Sequence, residues 1–355
     1  MPIKRLLDIV PISTQLSMTN KGKKMGLYRL LLAYMVLYSH MFQPLMGFQI
    51  GVVAVISFLL ISGYVMTALI RNYYPSISLL GQFYLDRLFR LLPQFYFYAV
   101  LIIICAHYFN LRQQGMPNEP SLQSVILQLL VVPLNFNYQF SSMLIPQAWS
   151  LGLEITFYVL FPFVLIFNKR LLVLIISLII FLFSYVDYIN AEIWGYRFLP
   201  GTFFIFIVGS FLYDANEREK FIPLLIWCLA VVLLTITYFF PSFQGPLVLI
   251  KRSILAGIVV GVPIIAALKS AGLKNANQFS VGDLSYGVFL NHNFVIGLFI
   301  LILPNTETHA STPRAIDFIV ALCLTMLVST IFSYVSFHLA ELPFVLLKKK
   351  HRALS

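Results

Sequence analysis

Long apolar runs separated by short polar loops dominate the pattern of hydrophobic and polar positions along the chain. The runs lie at 25–46, 50–70, 88–109, 121–134, 147–167, 171–189, 198–213, 221–240, 247–268, 284–303 and 314–347. A helix needs about 20 mostly apolar residues to cross a bilayer, and ten of the runs are long enough. The run 121–134 is short and contains Pro133, which favours an interfacial or re-entrant segment. The pattern therefore predicts an all-α polytopic transmembrane helix bundle, with about ten spanning helices and one short segment that does not cross.

Composition supports a membrane protein and excludes an ordinary soluble one. The 355 residues are 60% hydrophobic and only 10% charged, whereas about a quarter of the residues in a soluble domain are charged. The runs leave no room between them for a separate soluble domain. We expect a polar lead at 1–24, a transmembrane domain at 25–347 and a basic tail at 348–355.

The basic residues predict the orientation of the bundle. With ten crossings and both termini in the cytoplasm, 18 of the 24 lysines and arginines fall on the cytoplasmic side, five fall outside and Arg29 lies within the first helix. This bias follows the positive-inside rule, and an eleventh crossing would place one strongly basic terminus outside. The net charge of +11 is thus explained by cytoplasmic loops, and no nucleic-acid partner is expected. We predict a multi-pass protein of the plasma (inner) membrane.

Several classes of chemistry have no sequence signal. The cysteines Cys105, Cys228 and Cys323 lie singly in apolar runs, so no metal site is expected. The chain contains no Walker loop, GxGxxG, HExxH or GxSxG element, which disfavours an ATP-driven pump, a nucleotide-dependent reductase, a zinc protease and a hydrolase with a nucleophile elbow.

Two ionisable residues stand within the first apolar run, and such residues are functional candidates because they are costly to insert. Arg29 and His40 are eleven positions apart, so in a helix they share a face and lie about 16 Å apart along the axis. Both can line one cavity, with Arg29 at the cytoplasmic end and His40 near the outer end. The alternatives are an interfacial arginine and a polar residue at a helix end.

The next runs carry further candidates. Ser62-Gly63 fits a small-residue contact between helices. Arg87 and Arg90, in FYLDRLFRLLP, are three apart and share a helical face, where paired guanidinium groups can hold phosphates or simply anchor the helix at the interface.

An isolated carboxylate follows in PQAWSLGLEITFYVLFP. Trp149 suits an outer interface, and Glu154 lies one or two turns deeper, where an unpaired carboxylate must protonate or find a partner. Since His40 is expected at a similar depth, the two can form an acid/base pair or a purely structural buried pair.

Polar residues also interrupt the last two apolar runs. His292 falls in the middle of a predicted helix, where Asn291 and Ser285 can bond to it. His338 and Glu341 are three apart near the end of the last helix and can pair.

The motifs in order identify a resemblance. The series Arg29-x10-His40, SFLLISGY, FYLDRLFRLLP, WSLGLEITFYVLFP, FFIFIVGSFLY, LSYGVFLNHNF and AELPF resembles the acyltransferase-3 family of integral membrane acyltransferases, from about residue 25 to 346. Familiar members O-acetylate cell-surface or secreted carbohydrates. The resemblance implies acetyl-CoA, or another acyl-CoA, as the donor on the cytoplasmic side, and a carbohydrate or glycolipid as the acceptor.

The family's functional elements can be carried over by position. They fall on Arg29 and His40, on Ser62-Gly63, on Arg87 and Arg90, on Trp149, Ser150 and Glu154, and on Tyr286 and His292. Glu341, in AELPF, is a further candidate. The chain departs from the family where Phe289 replaces a second tyrosine and at Gly26-Leu27-Tyr28, which leaves the choice of substrate open. Besides membrane lipid and the acceptor, separate polysaccharide-assembly proteins are possible partners.

The resemblance and the polar residues together suggest a mechanism. Arg87 and Arg90 would hold the CoA phosphates, His40 aided by Glu154 would deprotonate a sugar hydroxyl, and Arg29 would stabilise the thioester or an oxyanion. Transfer can be direct or pass through an acyl-enzyme, for which His40 is one candidate. Two alternatives stay open, namely a transporter or flippase for a lipid-linked sugar and an inactive relative that acts as a partner in polysaccharide assembly.

Overall fold

The computed structural model is a bundle of α-helices. It describes residues 12–109, 111, 122–132, 134–135, 143–240, 245, 247–270, 281–302 and 315–344, among which no β-strand occurs. The helices are α1 (Ile12–Met41), α2 (Ile50–Tyr73), α3 (Leu80–Phe109), α4 (Leu122–Leu130), α5 (Trp149–Ile166), α6 (Arg170–Tyr185), α7 (Leu199–Tyr213), α8 (Ile222–Phe239), α9 (Val248–Ser270), α10 (Leu284–Ile302) and α11 (Ala315–Ser336). The predicted all-α transmembrane bundle is confirmed.

Each of the ten apolar runs predicted to span corresponds to one helix. Within the described residues, eight helical segments are long and apolar enough to cross a membrane, fewer than the ten predicted; α6 is a shorter apolar helix and α1 is not among the eight. The short run at 121–134 forms α4, whose nine residues extend only about 13 Å and cannot cross. Helix α1 begins at Ile12, within the expected polar lead. The expected basic tail at 348–355 lies outside the described residues.

Helices α2 and α7 form the centre of the bundle. Helix α7 is buried on all sides, since every residue from Gly201 to Leu212 is buried, as expected of a helix that is apolar all round. Helix α2 packs against α1, α7 and α9, while α10 packs against α1 and α11. The peripheral helices α8 and α11 bury far less of their surface.

Two glycines allow α2 and α7 to touch backbone to backbone. A Cβ atom at Gly63 of α2 would overlap the carbonyl of Phe206, and one at Gly209 of α7 would overlap the carbonyl of Leu60. Small residues at such crossings let transmembrane helices approach closely. The predicted packing role of Gly63 is therefore present in the structure, and this crossing sets the position of the neighbouring Ser62.

Two π-helical turns interrupt the regular pattern. Ile193–Arg197 precedes α7, and Phe337–Glu341 continues α11. Turns of this kind occur often at functional sites because they redirect side chains. Here Arg197 lines a cavity beside His40, and Glu341 pairs with Arg90 of α3.

Candidate active site

His40 lines a cavity at the end of α1. The cavity, which we call the His40 cavity, has a volume of about 180 Å³ and lies where the ends of α1, α2 and α9 meet the start of α5 and the turn Ile193–Arg197. Polar groups on its wall include His40, Ser39, Gln49, Gln147, Ser150 and Glu192. Arg29 is not among the residues that line it, so the structure does not place Arg29 and His40 in one cavity as the sequence predicted.

A second histidine holds the ring of His40. Nδ1 of His40 lies 3.0 Å from the carbonyl oxygen of Val36 and 3.3 Å from Nε2 of His292, and the ring centroids are 4.8 Å apart. Because a carbonyl only accepts hydrogen bonds, Nδ1 of His40 carries the proton and donates it. In a neutral ring this leaves Nε2 of His40 unprotonated, so that it can accept a proton.

The fully buried His292 is itself fixed. Its Nδ1 lies 3.2 Å from the carbonyl oxygen of Val288, so this nitrogen carries the proton and Nε2 is the acceptor that faces His40. Asn291, which the sequence suggested as a partner, donates instead to the hydroxyl of Tyr98 and the carbonyl of Ser329. His292 meets His40 and not Asn291 because α10 packs against α1.

Aromatic and charged groups form the opposite wall of the cavity. The ring of Trp149 lies 4.9 Å from that of Tyr196, and the guanidinium carbon of Arg197 lies 4.7 Å from the centroid of Trp149. Arg197 also forms an ion pair with Glu192, with Nη2 2.8 Å from Oε1. An aromatic ring beside donors and acceptors suits a polar ligand that also has apolar faces. Sequence reasoning missed Tyr196 and Glu192, which carry no distinguishing spacing.

Gln147 ties the start of α5 to α10. Its Nε2 donates to the carbonyl of Leu290 at 2.7 Å, and its Oε1 accepts from Asn293 at 2.9 Å. Ser150 donates to the carbonyl of Gln147 at 3.3 Å. The predicted residues Trp149 and Ser150 therefore both line the His40 cavity and stand on a rigid support.

Glu154 belongs to a different group, which we call the Glu154 cluster and which comprises Arg29, Ser62, Arg87, Glu154 and Tyr158. Ser62 donates its hydroxyl proton to Oε1 of Glu154 at 3.0 Å, and the hydroxyl of Tyr158 donates to the same oxygen. Arg29 and Arg87 both interact electrostatically with Glu154 and Tyr158.

The expected pair of His40 and Glu154 is not formed. At the start of the antiparallel α1–α2 contact, Gly51 faces Ser39 closely. Ser62 lies eleven residues further along α2, about 16 Å away, and therefore faces the level of Arg29. Since Ser62 bonds to Glu154, Glu154 lies at the depth of Arg29. The sequence placed Glu154 one or two helical turns from Trp149, but its depth in the bundle depends on how α5 packs against α2.

The arginine pair of α3 is also divided. Arg90 forms ion pairs with Asp283, at 3.2 Å, and with the fully buried Glu341, so Glu341 does not pair with His338 as expected. Nε of Arg87 is buried without a hydrogen-bond partner. Among the described residues, neither Arg87 nor Arg29 has a carboxylate at ion-pair distance. The guanidinium groups available to an anion are thus those of Arg29 and Arg87.

The two remaining candidates of α10 and α11 have structural partners. The buried Tyr286 donates its hydroxyl proton to the carbonyl of Leu91 at 2.9 Å, which ties α10 to α3. Glu341 ties the last turn to Arg90 of the same helix α3. Within the described part of the chain, no group of three or more His, Cys, Asp or Glu side chains is placed to hold a metal ion.

The Glu154 cluster and the His40 cavity provide the two parts that a group transfer needs. One is a site with two cationic groups and one carboxylate, and the other is a cavity with a histidine whose free nitrogen can accept a proton. They lie about 16 Å apart along α1.

Comparison with known proteins assigns the chain to a family. A family model described as an acyltransferase domain, of the acyltransferase-3 type, matches residues 25–335. An uncharacterized protein of Aquifex aeolicus (strain VF5) is 34% identical over 154 residues, which are 42% of this chain and 68% of that protein. No solved structure matches the chain. Since the family model covers most of the sequence and both polar clusters, the chain belongs to the acyltransferase-3 family of membrane acyltransferases.

Proposed function

We propose that the chain transfers an acyl group, acetyl in the simplest case, from a cytoplasmic acyl-CoA to a hydroxyl group of a cell-surface or secreted carbohydrate. The observation that carries the proposal is the hydrogen bonding of His40, whose Nδ1–H is held by Val36 and His292 while the ring lines a cavity. A hydroxyl is a weak nucleophile until a base takes its proton. Nε2 of His40 is such a base.

His40 takes up one proton in the transfer and gives it back. As the acceptor hydroxyl attacks the thioester carbonyl, its proton moves to Nε2 of His40. Collapse of the tetrahedral intermediate breaks the carbon–sulfur bond, and the leaving thiolate takes the proton from the imidazolium. His292 accepts a hydrogen bond from Nδ1–H throughout, which fixes the tautomer and favours the imidazolium that forms transiently.

The donor site is proposed at the Glu154 cluster. Arg29 also interacts electrostatically with Arg90 and Asp283, so the proposal rests on the guanidinium groups of Arg29 and Arg87, which have no carboxylate at ion-pair distance among the described residues and suit a phosphate. The separation of about 16 Å between this cluster and His40 calls for a donor whose anionic part and reactive carbonyl are joined by a long chain, as they are in an acyl-CoA. In this proposal Arg29 and Arg87 hold the donor, whereas Arg90 joins α3 to Asp283 and Glu341.

Glu154 is therefore proposed as a positioning residue and not as the base. It accepts hydrogen bonds from Ser62 and Tyr158 and balances part of the charge of Arg29 and Arg87. The wall of Trp149, Tyr196 and Arg197 would bind the acceptor, because sugar rings combine apolar faces with many hydroxyl groups. We further propose that both termini face the cytoplasm, in the plasma membrane.

The test is acyl transfer in membranes that contain the protein. Membranes with the wild type, His40→Ala or the control His107→Ala would receive radiolabelled acetyl-CoA, with the host's own surface glycan as acceptor. His107 is exposed in the last turn of α3. It does not line the His40 cavity, and it lies about 30 Å from Arg87 along the helix. We expect label in the glycan with the wild type and the control, and at least a hundredfold less with His40→Ala, the lower range for loss of a general base.

Different outcomes separate the alternatives. Label that depends on the protein but not on His40 would remove the proposed base. No label from acetyl-CoA or from a succinyl-CoA series, together with accumulation of a lipid-linked sugar on the opposite face, would favour a flippase.

A further inference from the structure

A groove between α7, α8 and α9 is separate from both polar clusters. It has a volume of about 570 Å³, within the range of about 300–1,000 Å³ typical of small-molecule pockets. Its walls are mostly apolar and include Phe211, Leu224, Trp227, Val262 and Pro263, and two lysines, Lys220 and Lys269, complete the lining. We call it the α8 groove.

The sequence builds one wall of the groove through a proline. Pro263 lies inside α9 and has no backbone N–H, so the carbonyl of Val259 loses its helical partner. The indole N–H of Trp227 in α8 donates to that carbonyl at 2.9 Å. This bond satisfies a polar group that would otherwise be unpaired in the membrane. It also fixes the indole ring as a rigid wall.

The two lysines lie at the end of the bundle where α7 ends and α8 begins. Nζ of Lys269 donates to the carbonyls of Leu212 and Tyr213, at 2.8 and 2.9 Å, which are among the last carbonyls of α7. An ammonium group has three donors, so one remains for a ligand. Lys220 pairs with Glu217, but both side chains are exposed and such a pair is weak.

The charge around the groove is positive. The two other acidic residues of the loop between α7 and α8 are engaged elsewhere, Asp214 with Arg71 at 2.9 Å and Glu219 with Arg170 at 3.0 Å. No carboxylate contacts Lys269 among the described residues. An apolar groove with cationic groups at one end matches a molecule that has apolar chains and an anionic head.

We propose that the α8 groove binds an anionic glycerophospholipid of the surrounding bilayer. Its phosphate would accept hydrogen bonds from Lys269 and Lys220, and an acyl chain would lie against Trp227, Val262 and Pro263. A neutral lipid lacks the net charge that the lysines select, since each lysine near a membrane surface contributes about 1 kcal/mol of attraction to anionic lipid. The proposal does not depend on the acyl-transfer reaction.

The fluorescence of Trp227 provides the test. The chain contains three tryptophans, so replacement of Trp149 and Trp194 by phenylalanine leaves Trp227 as the single probe. The protein would be reconstituted in phosphatidylcholine vesicles that contain increasing mole fractions of either brominated phosphatidylglycerol or brominated phosphatidylcholine. We expect quenching by the anionic lipid to begin at a several-fold lower mole fraction.

Variants of the charged residues distinguish a specific lipid-binding site in the α8 groove from ordinary contact with the bilayer. Lys220→Ala and Lys269→Ala should each reduce the preference for the anionic lipid about fivefold, whereas Arg218→Ala, an exposed residue of the same loop, should leave it unchanged. Equal quenching by both lipids, or a preference that survives in the double lysine variant, would overturn the proposal. Native mass spectrometry of the unaltered chain with the same lipids gives a reading that does not depend on the tryptophan replacements.

Discussion

At the scale of single residues, the hydrogen bond from Nδ1 of His40 to the carbonyl of Val36 defines which nitrogen can react, and His292 is a second partner of the same Nδ1. The spacing of Arg29 and His40 predicted that His40 lines a cavity. The sequence could not predict the partner, because the contact joins positions 252 residues apart and depends on the packing of α1 against α10. The sequence instead suggested Glu154 as the partner of His40, and Asn291 and Ser285 as partners of His292.

Replacement of His292 should lower the turnover number without changing substrate binding. His292→Leu removes one of the two acceptors for Nδ1–H of His40 and leaves the carbonyl of Val36. We expect kcat to fall about tenfold, below the full effect of a positioned base, with KM values for donor and acceptor nearly unchanged. His292→Gln keeps an acceptor and should recover part of kcat. Equal losses in both variants, or a rise in KM alone, would contradict the positioning role.

Arg87 of α3 and Arg71 of α2 should behave differently in kinetics. Arg87→Ala removes a guanidinium group that forms no ion pair within the described part of the chain, so KM for the acyl-CoA should rise about 10- to 100-fold, the loss expected for a charge-assisted bond, with a smaller change in kcat. The control Arg71→Ala breaks an exposed pair with Asp214 and should leave both constants unchanged. Steady-state kinetics with varied acyl-CoA gives the answer, and an unchanged KM in Arg87→Ala would remove Arg87 from the donor site.

At the scale of helices, the crossing of α2 and α7 is fixed by glycine. Gly209→Ala places a methyl group against the backbone of Leu60, which cannot give way as a side chain can. We expect a loss of stability of about 1–3 kcal/mol, measured as a lower thermal unfolding temperature in detergent. A Cβ atom at Gly81 meets no atom within 4 Å, so the control Gly81→Ala should be neutral or slightly stabilising, because alanine favours the helix. Similar effects in the two variants would contradict this account of the crossing.

The apolar runs predicted most of the helices, and the helices that differ from the runs do so for local reasons. Helix α3 begins at Leu80, eight residues before the start of the apolar run at 88. The charged Asp86 fits inside this helix because it is buried and accepts a hydrogen bond from the hydroxyl of Tyr74. The π-helical turn Phe337–Glu341 directs Glu341 to Arg90 instead of His338. Neither pairing has a signal in the spacing of the sequence.

At the scale of the whole molecule, an even number of crossings places both termini on one side. We predict that green fluorescent protein fused to either terminus is fluorescent in the cytoplasm. Alkaline phosphatase inserted after Tyr188, in the short loop between α6 and α7, should be active outside. The reverse pattern, or termini on opposite sides, would contradict the predicted orientation.

The central claim is that the acyl group passes from a donor on the cytoplasmic side to an acceptor at the His40 cavity on the other side. Sealed membrane vesicles of both orientations test it most directly, because acyl-CoA does not cross a bilayer unaided. With radiolabelled acetyl-CoA added outside, the account predicts labelled glycan inside inverted vesicles, no label in right-side-out vesicles, and none in either with His40→Ala. Equal labelling in the two orientations, or labelling only in right-side-out vesicles, would contradict transfer across the membrane.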